Sequence, residues 1–148
     1  MKEELKDNFY TIDSAALDGQ YIFKVVASDK PGNASQRALS GERVSELIEI
    51  DNTPPVLRVV NQQEPSATGP QARVRFAVED ATGMIKKADV SIDGGTWRGV
   101  TPDDGIADGP RETYTVEAPL KELGEHSVSL RVSDNSGNIG SVRTIVKR

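Results

Sequence analysis

Carboxylates gather in three stretches of this sequence, and binding a hard cation is the chemistry they could do. Asp29-Lys30-Pro31-Gly32-Asn33 and Asp134-Asn135-Ser136-Gly137-Asn138 each set an Asp and an Asn at short spacing, while Asp103, Asp104 and Asp108 cluster in a third. Calcium takes about six to eight oxygens, which such a loop supplies from carboxylates and carbonyls. None of the three follows a calcium-binding consensus. An Asp that opens a turn, with Gly where φ is positive, is also what a hairpin needs without any ion. The expectation is therefore no metal site and no cofactor, with little change in melting temperature on adding calcium.

His126 is the only histidine and Trp97 the only tryptophan. A catalytic triad or a histidine-ligated metal needs further groups beside the imidazole. His126 instead shares strand register with Val128 and Leu130, which reads as a rim or inward histidine bonded to a loop carbonyl. Trp97 follows a Gly pair. It reads as a large plug over one end of a core short of aromatics. The alternative is a stacking surface for a sugar or a protein, with Asp103, Asp104 and Asp108 as neighbouring ligand contacts. Arg98 lies over an aromatic face or pairs with the acidic loop, and the sequence leaves both open. No cysteine is present, which excludes disulfides, thiol catalysis and thiolate zinc. No G-x-S-x-G, P-loop or dinucleotide fingerprint occurs. Paired carboxylates for glycoside hydrolysis would need a cleft that a compact, short-looped domain lacks. No catalytic residue and no enzyme activity are expected.

These side chains need elements to hold them, and the elements read as strands. With 148 residues, 36% of them apolar and 5% aromatic, the chain suits two small units or one domain with an addition. A net charge of −5 argues against a nucleic-acid partner, which calls for clustered Lys and Arg. No run of about 18 apolar residues exists, so no membrane-spanning helix is written. Met1 precedes Lys2-Glu3-Glu4 and not an apolar segment, so no signal peptide is read. Met1 is expected to open an excised fragment, because the chain starts in mid-repeat.

The punctuation Asp51-Asn52-Thr53-Pro54-Pro55 divides the chain, since Asx residues favour turns and paired prolines favour stiff extended backbone. Residues 51–55 read as a linker and 56–148 as a complete domain. Period-two alternation places strands at Val56–Val60 and Gln71–Asp80, then around Ala88, Val90 and Ile92. Asp93-Gly94-Gly95 signals a tight turn and Thr96–Val100 returns from it. Tyr114 and Val116 mark a further strand, and Val128, Leu130 and Val132 face inward from the next. Val142, Ile145 and Val146 belong to the last, where uneven spacing points to a bulge or an apolar outer face. Lys2–Asn8 has room for a helical turn or two at most.

Residues 17–33 (LDGQYIFKVVASDKPGN) and 122–138 (ELGEHSVSLRVSDNSGN) are versions of one pattern. Gly19 aligns with Gly124, Asp29 with Asp134, Gly32 with Gly137 and Asn33 with Asn138. An alternating strand that runs into Asp-x-x-Gly-Asn, written twice, signals tandem sandwiches. Residues 1–50 then read as the rear half of a preceding repeat, with Tyr10–Ile12, Tyr21–Ala27 and Glu46–Ile50 as its strands.

At these residues the chain resembles the immunoglobulin-like and fibronectin type III-like domains of bacterial exported proteins. GQYIFKVVASDKPGN closing with IDNTPP is similar to the end of one such repeat and the start of the next. SIDGGTWRGVTPDDGIADG resembles the terminal sandwich of large extracellular proteins in which β-propeller-type repeats come first. The resemblance implies an all-β fold, an immunoglobulin-like antiparallel β-sandwich preceded by the rear half of a second one. It also implies a tyrosine corner, with Tyr21 in that place in the first repeat and His126 in the second. For the parent protein it implies an extracellular, cell-surface or periplasmic location. The leading expectation is a non-catalytic spacer and interaction domain whose partners are neighbouring domains of the same polypeptide. A homo-oligomer through the N-terminal half-repeat is also expected, since that half lacks the strands to cover its apolar face. The alternative is a carbohydrate- or protein-binding module that uses the loops around Trp97 and Asp103–Asp108.

Overall fold

The computed structural model describes residues 9–12, 17–34, 36–65 and 69–148. The chain divides into two compact units, residues 1–51 and 52–148. Among the described residues, the fifteen buried hydrophobic ones all lie in the second unit, between Ala72 and Val146.

The second unit is a sandwich of two antiparallel sheets. Counting strands in chain order over both units, it holds β5 (Val56–Gln63), β6 (Gln71–Glu79), β7 (Ile85–Ile92), β8 (Arg98–Val100), β9 (Arg111–Pro119), β10 (Glu125–Asp134) and β11 (Ile139–Lys147). One sheet runs β5-β6-β9 and the other β11-β10-β7-β8. The fourth strand thus joins the third, and seven strands divide as three and four around one core. This is an immunoglobulin-like sandwich in its fibronectin type III-like form.

Alternation explains the core. Ala72, Val74, Phe76 and Val78 of β6 are buried while Arg73 and Arg75 are exposed. Tyr114, Val116 and Ala118 of β9 complete that sheet's inner face, and Val128, Leu130 and Val132 of β10 oppose it. Strand β7 departs from simple alternation, because Asp89 and Ser91 are buried along with Ala88 and Val90. The expected water-facing side of β7 leaves Lys87 exposed but is covered at Asp89, where Arg131 reaches across, and at Ser91, whose hydroxyl donates to the Gly95 carbonyl. Strand β11 pairs with β10 without a register shift, so the uneven spacing of Val142, Ile145 and Val146 reflects an apolar outer face at Ile145 and not a bulge. The register shifts occur at Val59/Asn61 against β6 and at Ser133/Asp134 against β7.

The open edges of the two sheets are tied by β5. The Gln62 amide donates to the Ile145 carbonyl at 2.7 Å and accepts from the Thr144 hydroxyl at 2.8 Å. At the other end of the same strands a Cβ built on Gly140 would stand 1.9 Å from the Pro55 carbonyl oxygen. Only glycine lets the two backbones approach that closely.

The first unit holds β1 (Gly19–Tyr21), β2 (Lys24–Ser28), β3 (Ser40–Val44) and β4 (Ile48–Ile50). Strand β1 pairs with β4 and β2 with β3, both antiparallel, as one long hairpin interrupted at residues 22–23 and 45–47. It presents the pairing of the last two strands of the second unit, β10 with β11. The strand expected at Tyr10–Ile12 does not form, and residues 9–12 carry no regular structure. The final strand expected at Glu46–Ile50 is shorter, and β3 stands ahead of it. Ser40-Gly41-Glu42-Arg43 shows no apolar alternation, so only its backbone pairing with β2 reveals the strand. The helical turn expected at Lys2–Asn8 lies outside the described residues.

Candidate functional site

Trp97 and the acidic loop sit on opposite outer faces of the second unit. Trp97 precedes β8, and the Arg131 guanidinium of β10 lies over its ring, 4.4 Å from the centroid. The ring remains 38% exposed, so Trp97 is not the core plug expected of it; Tyr114 and Phe76 fill that role. The partner is Arg131, not the adjacent Arg98. Arg131 also pairs with Asp89 at 3.3 Å, and Asp89 with Lys87 at 3.2 Å. The result is a row of indole, guanidinium, carboxylate and ammonium on the outer face of the four-stranded sheet, with the cation–π contact partly screened by solvent.

The turn before Trp97 is fixed by its own chemistry. Asp93 and Gly94 both have positive φ, 53° and 70°, and the Gly95 amide donates to the Ile92 carbonyl at 2.9 Å. That is a type I′ hairpin turn, as the Asp-Gly-Gly signal predicts. Asp93 also ties the turn to β10, since its Oδ1 accepts the Ser127 amide at 2.8 Å.

Asp93 Oδ2 meets His126 Nδ1 at 2.7 Å, and His126 Nε2 lies 2.9 Å from the Glu122 carbonyl. Both ring nitrogens face acceptors, and only the imidazolium carries a proton on each. The hydrogen bond to Asp93 accordingly raises the His126 pKa above its ordinary value, with the Glu122 carbonyl adding to it. The same bond to His126 lowers Asp93. In the first unit the Tyr21 hydroxyl donates to the Leu17 carbonyl at 2.5 Å. Each aromatic thus bonds the carbonyl four residues upstream, and His126 stands in the tyrosine-corner place with an imidazole for a phenol.

Asp103 and Asp104 belong with the outer face of the three-stranded sheet, whereas Asp108 lies in the loop before β9, beside the buried Glu112. Asp103 accepts the Thr115 amide at 2.8 Å and the Thr115 hydroxyl at 3.1 Å, and pairs with Arg75 at 3.2 Å. Burial opposes its charge, but the bonds from Thr115 and Thr113 outweigh that and hold its pKa below the usual value. Asp104 accepts the Ile106 amide at 3.2 Å. The carboxylate of Glu112, which sequence reasoning did not single out, accepts the amides of Asp108 and Gly109 at 3.2 and 3.1 Å. Asp103 and Asp104 border a shallow depression with Arg58, Ala77, Glu79 and Arg111. Glu79 and Arg111 pair across it at 2.6 Å. No single site therefore joins Trp97 to these three aspartates.

The two Asp-x-x-Gly-Asn loops do mechanical work. Asp29 Oδ1 accepts the Leu39 amide at 2.7 Å. Asp134 Oδ1 accepts the Asn138 amide at 2.9 Å and its Oδ2 the Asn138 side-chain amide at 2.8 Å. In both, the carboxylate closes the loop onto the first part of the returning chain. Gly137 has the positive φ expected, 94°, whereas Gly32 does not. The first loop runs on to Leu39 and turns without it.

No family model matches the chain, and no curated protein does. Among solved structures it is similar to the PKD1 domain of Vibrio anguillarum Epp, at 14% identity and a TM-score of 0.47, over 66% of this chain and 95% of that one. It is similar also to fibronectin(III)-like modules of Clostridium thermocellum CbhA, at 20% identity and a TM-score of 0.45, over 89% of this chain and 64% of that one. An engineered protein matches at 15% identity and a TM-score of 0.42, over 63% of this chain and 20% of that one. The order and pairing of its own strands establish the second unit as an immunoglobulin-like, fibronectin type III-like β-sandwich.

Proposed function

We propose that the second unit is a non-catalytic spacer and interaction domain of a larger exported bacterial protein. What carries the reading is the use made of the side chains that could do chemistry. Asp93, His126, Asp103, Glu112 and Asp134 each hold a turn or a neighbouring strand through bonds to backbone amides or carbonyls. Groups committed in this way stiffen loops, and a stiff body with short loops is suited to setting the distance between neighbours. In this reading residues 51–55 form the joint to the preceding repeat, and paired prolines limit its bending. An extracellular, cell-surface or periplasmic setting fits the same role, as does a terminal position behind propeller-type repeats.

A partner in this reading is a second copy of the chain. The first unit exposes Val25, Val26 and Val44 on two-stranded sheets, which are marginal by themselves. A two-fold contact between such hairpins covers both at once. Light scattering after size exclusion is expected to give a dimer at micromolar concentration, and a monomer argues for the spacer without self-association.

Exposed Trp97 favours a second reading, binding of a carbohydrate or a protein on the face of the four-stranded sheet. Affinity electrophoresis through gels holding soluble polysaccharides separates the two. The spacer reading predicts equal mobility with and without polysaccharide. Retardation that Trp97→Ala abolishes would establish the binding module instead.

A further inference from the structure

We infer that the second unit holds a site for a hard divalent cation of calcium's class, between Asp80 and Asp134. The two residues stand at one end of the sandwich, Asp80 after β6 and Asp134 at the end of β10. Asp80 is 4% and Asp134 1% exposed, and their carboxylates bring oxygens within 4.8 Å of one another.

The bonding of Asp80 is incomplete. Its Oδ1 accepts the amides of Thr82 and Gly83 at 2.9 and 2.6 Å. Its Oδ2 is buried and has no hydrogen-bond partner. Leaving a buried carboxylate oxygen unpaired is costly, and folded proteins almost always supply a partner. Elsewhere in this unit partly buried carboxylates receive cations, Asp89 from Lys87 and Arg131 and Asp103 from Arg75. Among the described residues no Lys or Arg forms an ion pair with Asp80 or Asp134.

The donors present select the kind of ion. Both are carboxylates, with no thiolate or imidazole alongside, and such oxygen sets suit calcium over zinc or copper. Both are also held in place before any ion arrives. The loop amides fix Asp80, and Asn138 fixes Asp134 through both oxygens. The Met84 amide donates to the Asn135 side chain at 2.9 Å, so the connection after Asp80 and the loop after Asp134 already touch. An ion bound to both carboxylates would lock these two connections together. That is a stiffening device, and it stands whether or not the spacer reading does.

The test is calorimetric titration of calcium chloride into the chelator-stripped chain of residues 1–148, with thermal unfolding in parallel. A saturable heat is expected, together with a melting temperature that climbs with calcium. Asp80→Asn keeps an acceptor for the Thr82 and Gly83 amides but removes the charge, and is expected to weaken binding at least about tenfold. No heat and no thermal shift in the wild-type chain up to about 10 mM calcium, beyond the range of weak extracellular modules, would overturn the proposal. So would a shift that Asp80→Asn keeps in full, since that marks loose binding to surface carboxylates. If Asp80→Asn does not fold, the wild-type titration decides alone.

Discussion

Tyr114 lies fully buried at the centre of β9, and its hydroxyl finds no hydrogen-bond partner. Burial first, with the charges of Glu112 and Asp104 behind it, pushes that hydroxyl up to about 12. An unpaired buried hydroxyl opposes folding, so Tyr114→Phe is expected to be neutral or to stabilise the chain by up to about 1 kcal/mol in chemical denaturation. His126 offers a second test at this scale. Its folded pKa is raised, so its bond to Asp93 contributes fully below the unfolded value of about 6.5 and is lost as pH rises through the folded value. Asp93 is lowered, so its share is present above about 4 and is lost as pH falls through its folded value. The pair therefore contributes most between about pH 4 and 6.5. The melting temperature of the wild-type chain relative to His126→Gln is expected to be highest there and to shrink as the pH rises above that window. The place of His126 was legible in the sequence, because it aligns with Tyr21 in the repeated pattern. Its bond to Asp93 was not, since that depends on a hairpin turn folding back beside β10.

At the scale of elements, period-two alternation found the long strands of the second unit, because they bury one face against an opposing sheet, whereas the short and largely exposed β8 was legible only from the turn before it. Alternation failed for β3, which buries neither face and is held by backbone bonds to β2. It also placed a strand at Tyr10–Ile12 by analogy with Tyr114–Val116, but β9 exists only between β6 and a filled core. Nothing local marked Asp80, whose neighbour Asp134 is far away in sequence, so the pairing of the two carboxylates is invisible when each acidic loop is read alone. The junction of β5 and β11 was equally hidden. A methyl group on Gly140 would strike the Pro55 carbonyl, and that oxygen is backbone and cannot swing aside. Gly140→Ala is expected to cost about 1–3 kcal/mol in urea unfolding, through forced displacement of β5. A change below about 0.5 kcal/mol would mean that the two strands separate more easily than their spacing implies.

Across the whole molecule the two units differ in kind. The second closes a core from both sheets, whereas no described hydrophobic residue of the first is fully buried. The pattern common to residues 17–33 and 122–138 says nothing of this imbalance, since it covers only one strand and the turn after it in each unit. Leu130 is fully buried, and Leu130→Ala is expected to cost about 2–5 kcal/mol, a large part of what a domain of this size has. With its core closed by its own seven strands, the second unit is expected to fold as a self-sufficient body. Urea unfolding of residues 52–148 alone, beside the full chain, tests that directly. One cooperative transition is predicted for the shorter piece, at the midpoint that tryptophan fluorescence from Trp97 reports for the intact chain. A piece that is unfolded without urea, or whose midpoint falls well below that of the full chain, would contradict it.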